Sequence, residues 1–214
     1  MNLDNYLEPL PLVAVLRGIT PDEIPEIAAA LCAEGFRILE VPLNSPQPFD
    51  SIRLLANQYG ERCLVGAGTV IEVADVARVR DAGGALIVMP HADVAIIREA
   101  KRLGMVCLPG VATPTEAFAA LDAGADGLKL FPAEAMIPAV LRAWRAVLPA
   151  GTRVFAVGGI RADNMGPWWA EGAVGFGTGS NLYKPGADAA QVRAAAAAYA
   201  AAFRALPKRE RPAQ

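Results

Sequence analysis

The strongest constraint in this sequence is a repeat. A short run rich in Val, Ile and Leu is followed by a longer Ala-rich segment with helical spacing, and the pair recurs along the chain. Eight candidate strands result: LVAVLR (12–17), RILEVPL (37–43), CLVGAGT (63–69), LIVMP (86–90), MVCLPG (105–110), GLKLF (127–131), RVFAVGG (153–159) and VGFGTG (174–179). Gly35, Gly83, Gly104, Gly124 and Gly172 each close an apolar-periodic segment just before a strand, where a left-handed residue stops a helix. Helix-start signals follow several strands: Thr20-Pro21-Asp22-Glu23, Thr113-Pro114-Thr115-Glu116 and Arg161-Ala162-Asp163-Asn164. Hydrophobic residues make up 54% of the chain but aromatics only 7%, so Ala, Val, Leu and Ile must fill the core, as in helices packed on buried parallel strands. Eight βα units in 214 residues fit the lower size range of a closed (β/α)8 TIM barrel, whereas doubly wound open sheets use fewer strands. The expectation is one α/β barrel domain over residues 1–214, with AAAAAYAAAFRAL as the last helix and residues 207–214 as a flexible tail.

Charge and composition then exclude several classes of function. Lys and Arg number 20 against 22 Asp and Glu, a net charge of −2, so no broad basic surface for nucleic acid is expected. Cys32, Cys63 and Cys107 form an odd set without CxxC or metal-ligand spacing, which reads as reduced core thiols of a cytosolic protein. The opening MNLDNYLEPLPLVAV lacks a basic segment and a cleavage-like site, and no apolar run approaches the ~18 residues that span a bilayer. A cytoplasmic location away from membranes is expected. With one histidine and no Cys/His cluster, a zinc-dependent mechanism lacks its usual ligands, so no metal is expected. The glycine-rich segments match neither GxGxxG nor GxxxxGK[ST], and GAGT is not GxSxG, so no nucleotide cofactor and no serine hydrolase are implied.

Barrel enzymes carry their chemistry at the C-terminal ends of strands, and three ionisable residues interrupt apolar runs there: Arg17, Glu40 and Lys129. If Leu128 and Leu130 face the helices, Lys129 points into the barrel. Burial leaves a lysine more often neutral, the state that attacks a ketone, although a rim lysine or a cation that binds a substrate anion fits the same pattern. Glu40 suits proton transfer, or pairing with Arg17 or Lys129; the planar fork of Arg17 suits a carboxylate, or a surface ion pair. Glycines after the seventh and eighth strands, in FAVGGI and GFGTGSNL, let backbone N–H groups approach a phosphate, with a helix N-terminus expected after Ser180; tight βα turns also use glycine there. His91 follows Pro90 at a strand end and receives no role.

Taken together, VAVLRGITPDE, RILEVPLNSP, LVGAGTV, LIVMPH, CLPGVATPTEA, LKLFPAE, FAVGGI and GTGSNLY resemble the KDPG/KDPGal aldolase family over residues 10–185. The resemblance implies a metal-free Schiff-base aldolase, with Lys129 as nucleophile, Glu40 as general acid/base and Arg17 in contact with substrate. By the same resemblance Thr69, Pro90 and Phe131 line the pyruvate end, and Gly158, Gly159, Gly179 and Ser180 hold the phosphate. EVPLNSP looks more like the 2-dehydro-3-deoxy-6-phosphogalactonate branch than the gluconate branch, in which EVTLRT is frequent; Pro42 and Asn44 stand at the Thr and Arg of that pattern. The implied substrate is a phosphorylated 2-keto-3-deoxy sugar acid, cleaved to pyruvate and glyceraldehyde 3-phosphate without a cofactor by a homotrimer. Aldol cleavage of the gluconate-series acid or of both series, a phosphosugar epimerase or isomerase that uses Glu40 as carbon base, and a non-catalytic sugar-phosphate sensor are the competing readings.

Overall fold

The computed structural model describes residues 2–208. Among these residues nine parallel strands form one sheet: β1 (Leu12–Val15), β2 (Ile38–Pro42), β3 (Leu64–Gly68), β4 (Leu86–Val88), β5 (Val106–Leu108), β6 (Gly110–Val111), β7 (Leu128–Leu130), β8 (Val154–Val157) and β9 (Gly175–Thr178). Their order is β5-β4-β3-β2-β1-β9-β8-β7-β6. The two ends of that order, β5 and β6, are consecutive in the chain and separated only by Pro109. They are the single strand expected over 105–110, and proline interrupts it because it has no N–H to give to the ladder. The circle therefore closes through the chain itself, and eight spokes make a nearly closed barrel of the TIM type.

Among the described residues eight α-helices lie between and after the strands: α1 (Ile24–Ala33), α2 (Pro48–Tyr59), α3 (Val73–Asp81), α4 (Val94–Arg102), α5 (Pro114–Asp122), α6 (Pro138–Arg145), α7 (Met165–Ala170) and α8 (Ala189–Arg204). The five glycines read as helix stops all adopt positive φ, from +72° at Gly104 to +106° at Gly172. In α1 the consequence is visible: Gly35 N–H donates to Cys32 O and Phe36 N–H to Leu31 O, which satisfies carbonyls at the helix end.

Side-chain alternation divides the core in two. Leu39, Val41, Leu128 and Leu130 point outward among the helices. Val13, Ile38, Leu64, Leu86, Val106 and Phe155 point inward and pack on one another. Phe155 is large for the centre of a small barrel, and Gly175 makes room for it: a Cβ there would lie 2.6 Å from its ring. A short 3-10 turn, Leu3–Tyr6, closes the N-terminal end of the barrel with Leu3 buried in the inner cluster. Asp4 in that turn forms a bidentate pair with Arg153 just before β8, one contact of which is 2.7 Å.

Two expectations need correction. No helix begins directly after Ser180; Leu182 and Tyr183 N–H groups instead turn back onto Gly179 O. Lys184, Pro185 and Gly186 follow, and α8 starts only at Ala189, where Asp188 and Gln191 form a reciprocal cap. At Arg161–Asn164 the helix does start, at Met165, but the Asn164 side chain does not cap it. Of the expected tail, Pro207 accepts a hydrogen bond of 2.9 Å from Trp169 Nε1, and residues 209–214 lie outside the described residues. Among the described residues no helix is long and apolar enough to cross a membrane.

Candidate active site

Strand register brings the three ionisable side chains to the same end of the barrel. Glu40 lies beside Val15 of β1 and Gly66 of β3, while Lys129 lies between Gly110 of β6 and Phe155 of β8. Both point inward, as alternation requires, into a cavity walled by Val13, Val15, Val88, Leu108, Phe155 and Val157. Glu40 is 2% exposed and Lys129 is 8% exposed. Neither forms a salt bridge among the described residues, and Glu40 Oε2 has no hydrogen-bond partner. A simple structural ion pair is therefore not what holds Glu40 in place.

Burial sets the electrostatics. It pushes the Glu40 carboxyl up from its ordinary 4.5 to about 7, against the opposing pull of Lys129 and Arg17. It also holds Lys129 below the ordinary lysine range; Glu40 opposes that effect and Arg17 adds to it. An acid and an amine, each driven toward its neutral form in one pocket, can exchange protons with a substrate near neutral pH. The Lys129 Nζ also sits 4.5 Å from the centre of the Phe131 ring, so Phe131 forms part of its immediate wall.

Gly68, the last residue of β3, explains how Glu40 fits. A Cβ at this position would fall 1.4 Å from Glu40 Oε2, so the carboxylate occupies the space that any side chain would need. The sequence displayed this glycine only as part of GAGT, where it looked like one more small residue.

Arg17 stands at the exposed rim beyond β1. Its Nη1 donates to Asn44 Oδ1 at 2.6 Å and its Nη2 to Thr69 Oγ1 at 3.3 Å. Thr69 reaches that position with φ +54°, an unusual conformation for a β-branched residue. Gly18 N–H donates to Ser45 Oγ at 2.9 Å, a second tie between the loops after β1 and β2. Asn44 and Ser45 were not read as site residues. Asn44 drew notice only as a departure from the gluconate pattern, because pairing between two loops 27 residues apart leaves no local signal.

Pro90 lies at the rim after β4, where Gly110 approaches it so closely that a Cβ would come within 2.5 Å of Pro90 O. Gly158 and Gly159 follow β8 with φ +104° and +63°. They also pack against the turn after β7: a Cβ on Gly158 would lie 3.1 Å from Ala133 N, and one on Gly159 2.7 Å from Glu134 Cβ. Close packing alone thus requires small residues here. Asn164 Nδ2 donates to Gly159 O, and Asn181 Nδ2 reaches Ile160 O at 3.4 Å, so the loops after β8 and β9 are joined. Gly179 and Ser180 belong to the second of these loops, without the helix end expected beyond them. His91 is exposed, and its carbonyl accepts from Gly110 N–H. Among the described residues no group of three or more His, Cys, Asp and Glu is arranged to hold a metal ion.

The sequence and the fold both have relatives. The family model "KDPG and KHG aldolase" matches residues 3–195. A protein of Rhizobium meliloti (strain 1021), described as a probable 2-dehydro-3-deoxy-6-phosphogalactonate aldolase, is 48% identical over 92% of this chain and 92% of its own length. A solved structure described as native KDPGal superposes with a TM-score of 0.90 at 45% identity, covering 92% of this chain and 95% of that one. A KDPG aldolase from Legionella pneumophila, with pyruvate captured at low pH as a covalent carbinolamine intermediate, superposes with a TM-score of 0.78 at 26% identity, covering 95% and 97%.

Proposed function

Because this chain belongs to the KDPG and KHG aldolase family, we propose that it is a Schiff-base aldolase that reversibly cleaves 2-dehydro-3-deoxy-6-phosphogalactonate to pyruvate and glyceraldehyde 3-phosphate. The observation that carries the mechanism is the joint burial of Lys129 and Glu40, each shifted toward its neutral form, in an otherwise apolar barrel mouth. The galactonate series is favoured by the 48% identity to the Rhizobium meliloti protein and by EVPLNSP in the second strand.

Neutral Lys129 Nζ adds to the C2 ketone to give a carbinolamine. Protonated Glu40 donates to its hydroxyl, water leaves, and a protonated imine forms. Glu40, now a carboxylate, takes the proton of the C4 hydroxyl; the C3–C4 bond breaks and its electrons pass into the imine, which becomes an enamine. Glyceraldehyde 3-phosphate departs. Return of the proton to C3 and addition of water release pyruvate and restore the amine. A carboxyl near 7 suits both halves of this shuttle.

Arg17, steadied by Asn44 and Thr69, faces the substrate carboxylate with its remaining N–H groups. Thr69, Pro90 and Phe131 line the pyruvate end. Backbone N–H groups of Gly158, Gly159, Gly179 and Ser180 receive the phosphate, whose binding orients the bond to be broken. The protein acts in the cytoplasm as a homotrimer, and it takes small molecules rather than nucleic acid or membrane as partners.

Borohydride reduction in the presence of pyruvate, followed by peptide mass spectrometry, tests this reading. A reduced pyruvyl adduct on Lys129 is expected in the native protein and none in folded Lys129→Ala. Absence of the adduct from folded native protein overturns the mechanism and leaves an epimerase or a sensor. Cleavage rates with the two C4 epimers decide the substrate series.

A further inference from the structure

Away from the site, the structure brings two cysteines together that no role in the chemistry explains. Cys32 lies in the last turn of α1 and Cys63 immediately before β3, and their Sγ atoms are 3.7 Å apart. Both are free thiols. Cys63 is buried, whereas Cys32 is half-buried and opens the pair to solvent. The sequence reading of three reduced core thiols carries no hint of this proximity, which only the fold creates.

We propose that Cys32 and Cys63 form a dithiol modification site that peroxide closes into a reversible disulfide, clasping α1 to the start of β3 at the barrel end opposite the chemistry. Disulfide sulfurs lie ~2.05 Å apart, so two side chains already in van der Waals contact must approach by less than ~2 Å. The surroundings favour one direction of reaction. The contact with Cys32, in which either sulfur can donate, and the nearby Arg62 and Arg37 lower the Cys63 thiol against the opposing effect of burial. Cys107 offers the contrast: it is fully buried beside Met89, and burial followed by Asp126 pushes its thiol up to about 12.

The Cys63 thiolate attacks one peroxide oxygen and the O–O bond breaks. Hydroxide leaves and is protonated to water, and Cys63 becomes a sulfenic acid. Cys32 sulfur then attacks Cys63 sulfur; the S–O bond breaks and the second water leaves with the Cys32 proton. Two thiols are oxidised by two electrons, and hydrogen peroxide is reduced to two waters. The bridge encloses the 31-residue separation between the two positions, which includes β2 with Glu40, the Asn44 loop and α2, but it joins the chain at the strand starts, away from the strand ends where Arg17, Asn44 and Thr69 meet.

Reduced native protein is treated with stoichiometric hydrogen peroxide, quenched with catalase, unfolded and alkylated. The expected result is one alkylated thiol in place of three, with peptide 18–37 joined to peptide 63–78 after trypsin without reductant. Dithiothreitol should restore all three thiols. The bridged form should melt roughly 5 °C or more above the reduced form and retain aldol cleavage within about two-fold. Cys32→Ser should give no cross-link and should yield a Cys63 sulfenic acid that dimedone traps. Three remaining thiols, a bridge to Cys107, or a cross-link found only between two chains overturns the proposal. Loss of turnover in step with bridge formation would also overturn it, because the clasp is placed away from the reacting end.

Discussion

At the scale of single residues, the balance between burying Glu40 and using it makes a sign-definite prediction. Its carboxyl titrates at about 7 in the folded protein against an ordinary 4.5. Between those values the unfolded chain is ionised while the folded one keeps its proton, so folding takes up a proton. The contribution of the neutral carboxyl to stability is complete below pH 4.5, declines as pH rises and is lost above about pH 7. Glu40→Gln stays neutral throughout. Its stability advantage over the native protein should therefore grow across that window and level off at up to about 3 kcal/mol, while turnover falls at least ~100-fold. Urea unfolding of both proteins at pH 5 and pH 8 measures it, and a difference independent of pH contradicts the desolvation argument. Gly68 supplies the companion test. The methyl of Gly68→Ala would occupy the position of Glu40 Oε2, so the carboxylate must swing away. We expect kcat to fall ~100-fold or more with the fold retained, because displaced proton transfer typically costs that much. The same change at Gly66 would meet the Leu86 carbonyl at 1.9 Å and should impair folding instead, which separates a cradle for catalysis from a demand of packing.

At the scale of elements, helix starts couple strand ends to helix ends. Glu116 at the start of α5 accepts from the N–H groups of Ala112 and Thr113 and from Thr113 Oγ1, each at 2.8 to 2.9 Å. Glu23 does the same for Thr20 and also accepts from Tyr183 O–H at 3.0 Å, so the segment before α1 is tied to the loop after β9. Removing the Glu116 carboxylate leaves backbone donors to water, and Glu116→Ala should cost about 1 kcal/mol in chemical unfolding at pH 7. The carboxyl is held below its usual range by those bonds, so the cost should shrink as pH falls through its folded value, and Glu116→Gln should recover part of it. These signals were legible because they are local: a Thr-Pro-x-Glu tetrad caps a helix wherever it occurs, and a left-handed glycine closes one ahead of five of the strands. Alternation likewise sufficed to turn Lys129 inward. The break of the fifth spoke at Pro109 was readable in principle from proline chemistry, yet a run of apolar residues concealed it. The partnerships of Asn44 with Arg17, Gly68 with Glu40 and Cys32 with Cys63 join separate βα units. A single sequence holds no trace of such distances, so they emerge only once the barrel has closed. The helix expected after Ser180 failed for a related reason: glycines that serve a loop look like glycines that introduce a helix.

At the scale of the molecule, the two ends of the barrel have different work. Loops after the strands collect Arg17, Asn44, Thr69, Pro90 and the glycines after β8 and β9, while the opposite end is closed by Leu3–Tyr6. Leu3 is 1% exposed and belongs to the inner layer with Val13, Ile38 and Phe155, and Asp4 secures the turn to Arg153 just before β8. This plug seals one end of the apolar interior, in which burial shifts Glu40 and Lys129. Leu3→Ala should accordingly cost ~2 to 4 kcal/mol through the cavity it leaves, with kcat at saturating substrate within about two-fold of native below the melting range. The profile should mirror that of Gly68→Ala, which sacrifices turnover with little loss of fold. Both variants can be read in one thermal unfolding series with parallel cleavage assays. If Leu3→Ala instead lowers turnover at temperatures where the protein remains folded, water has entered the barrel from below, and the acid and the amine depend on a seal at the opposite end of the molecule.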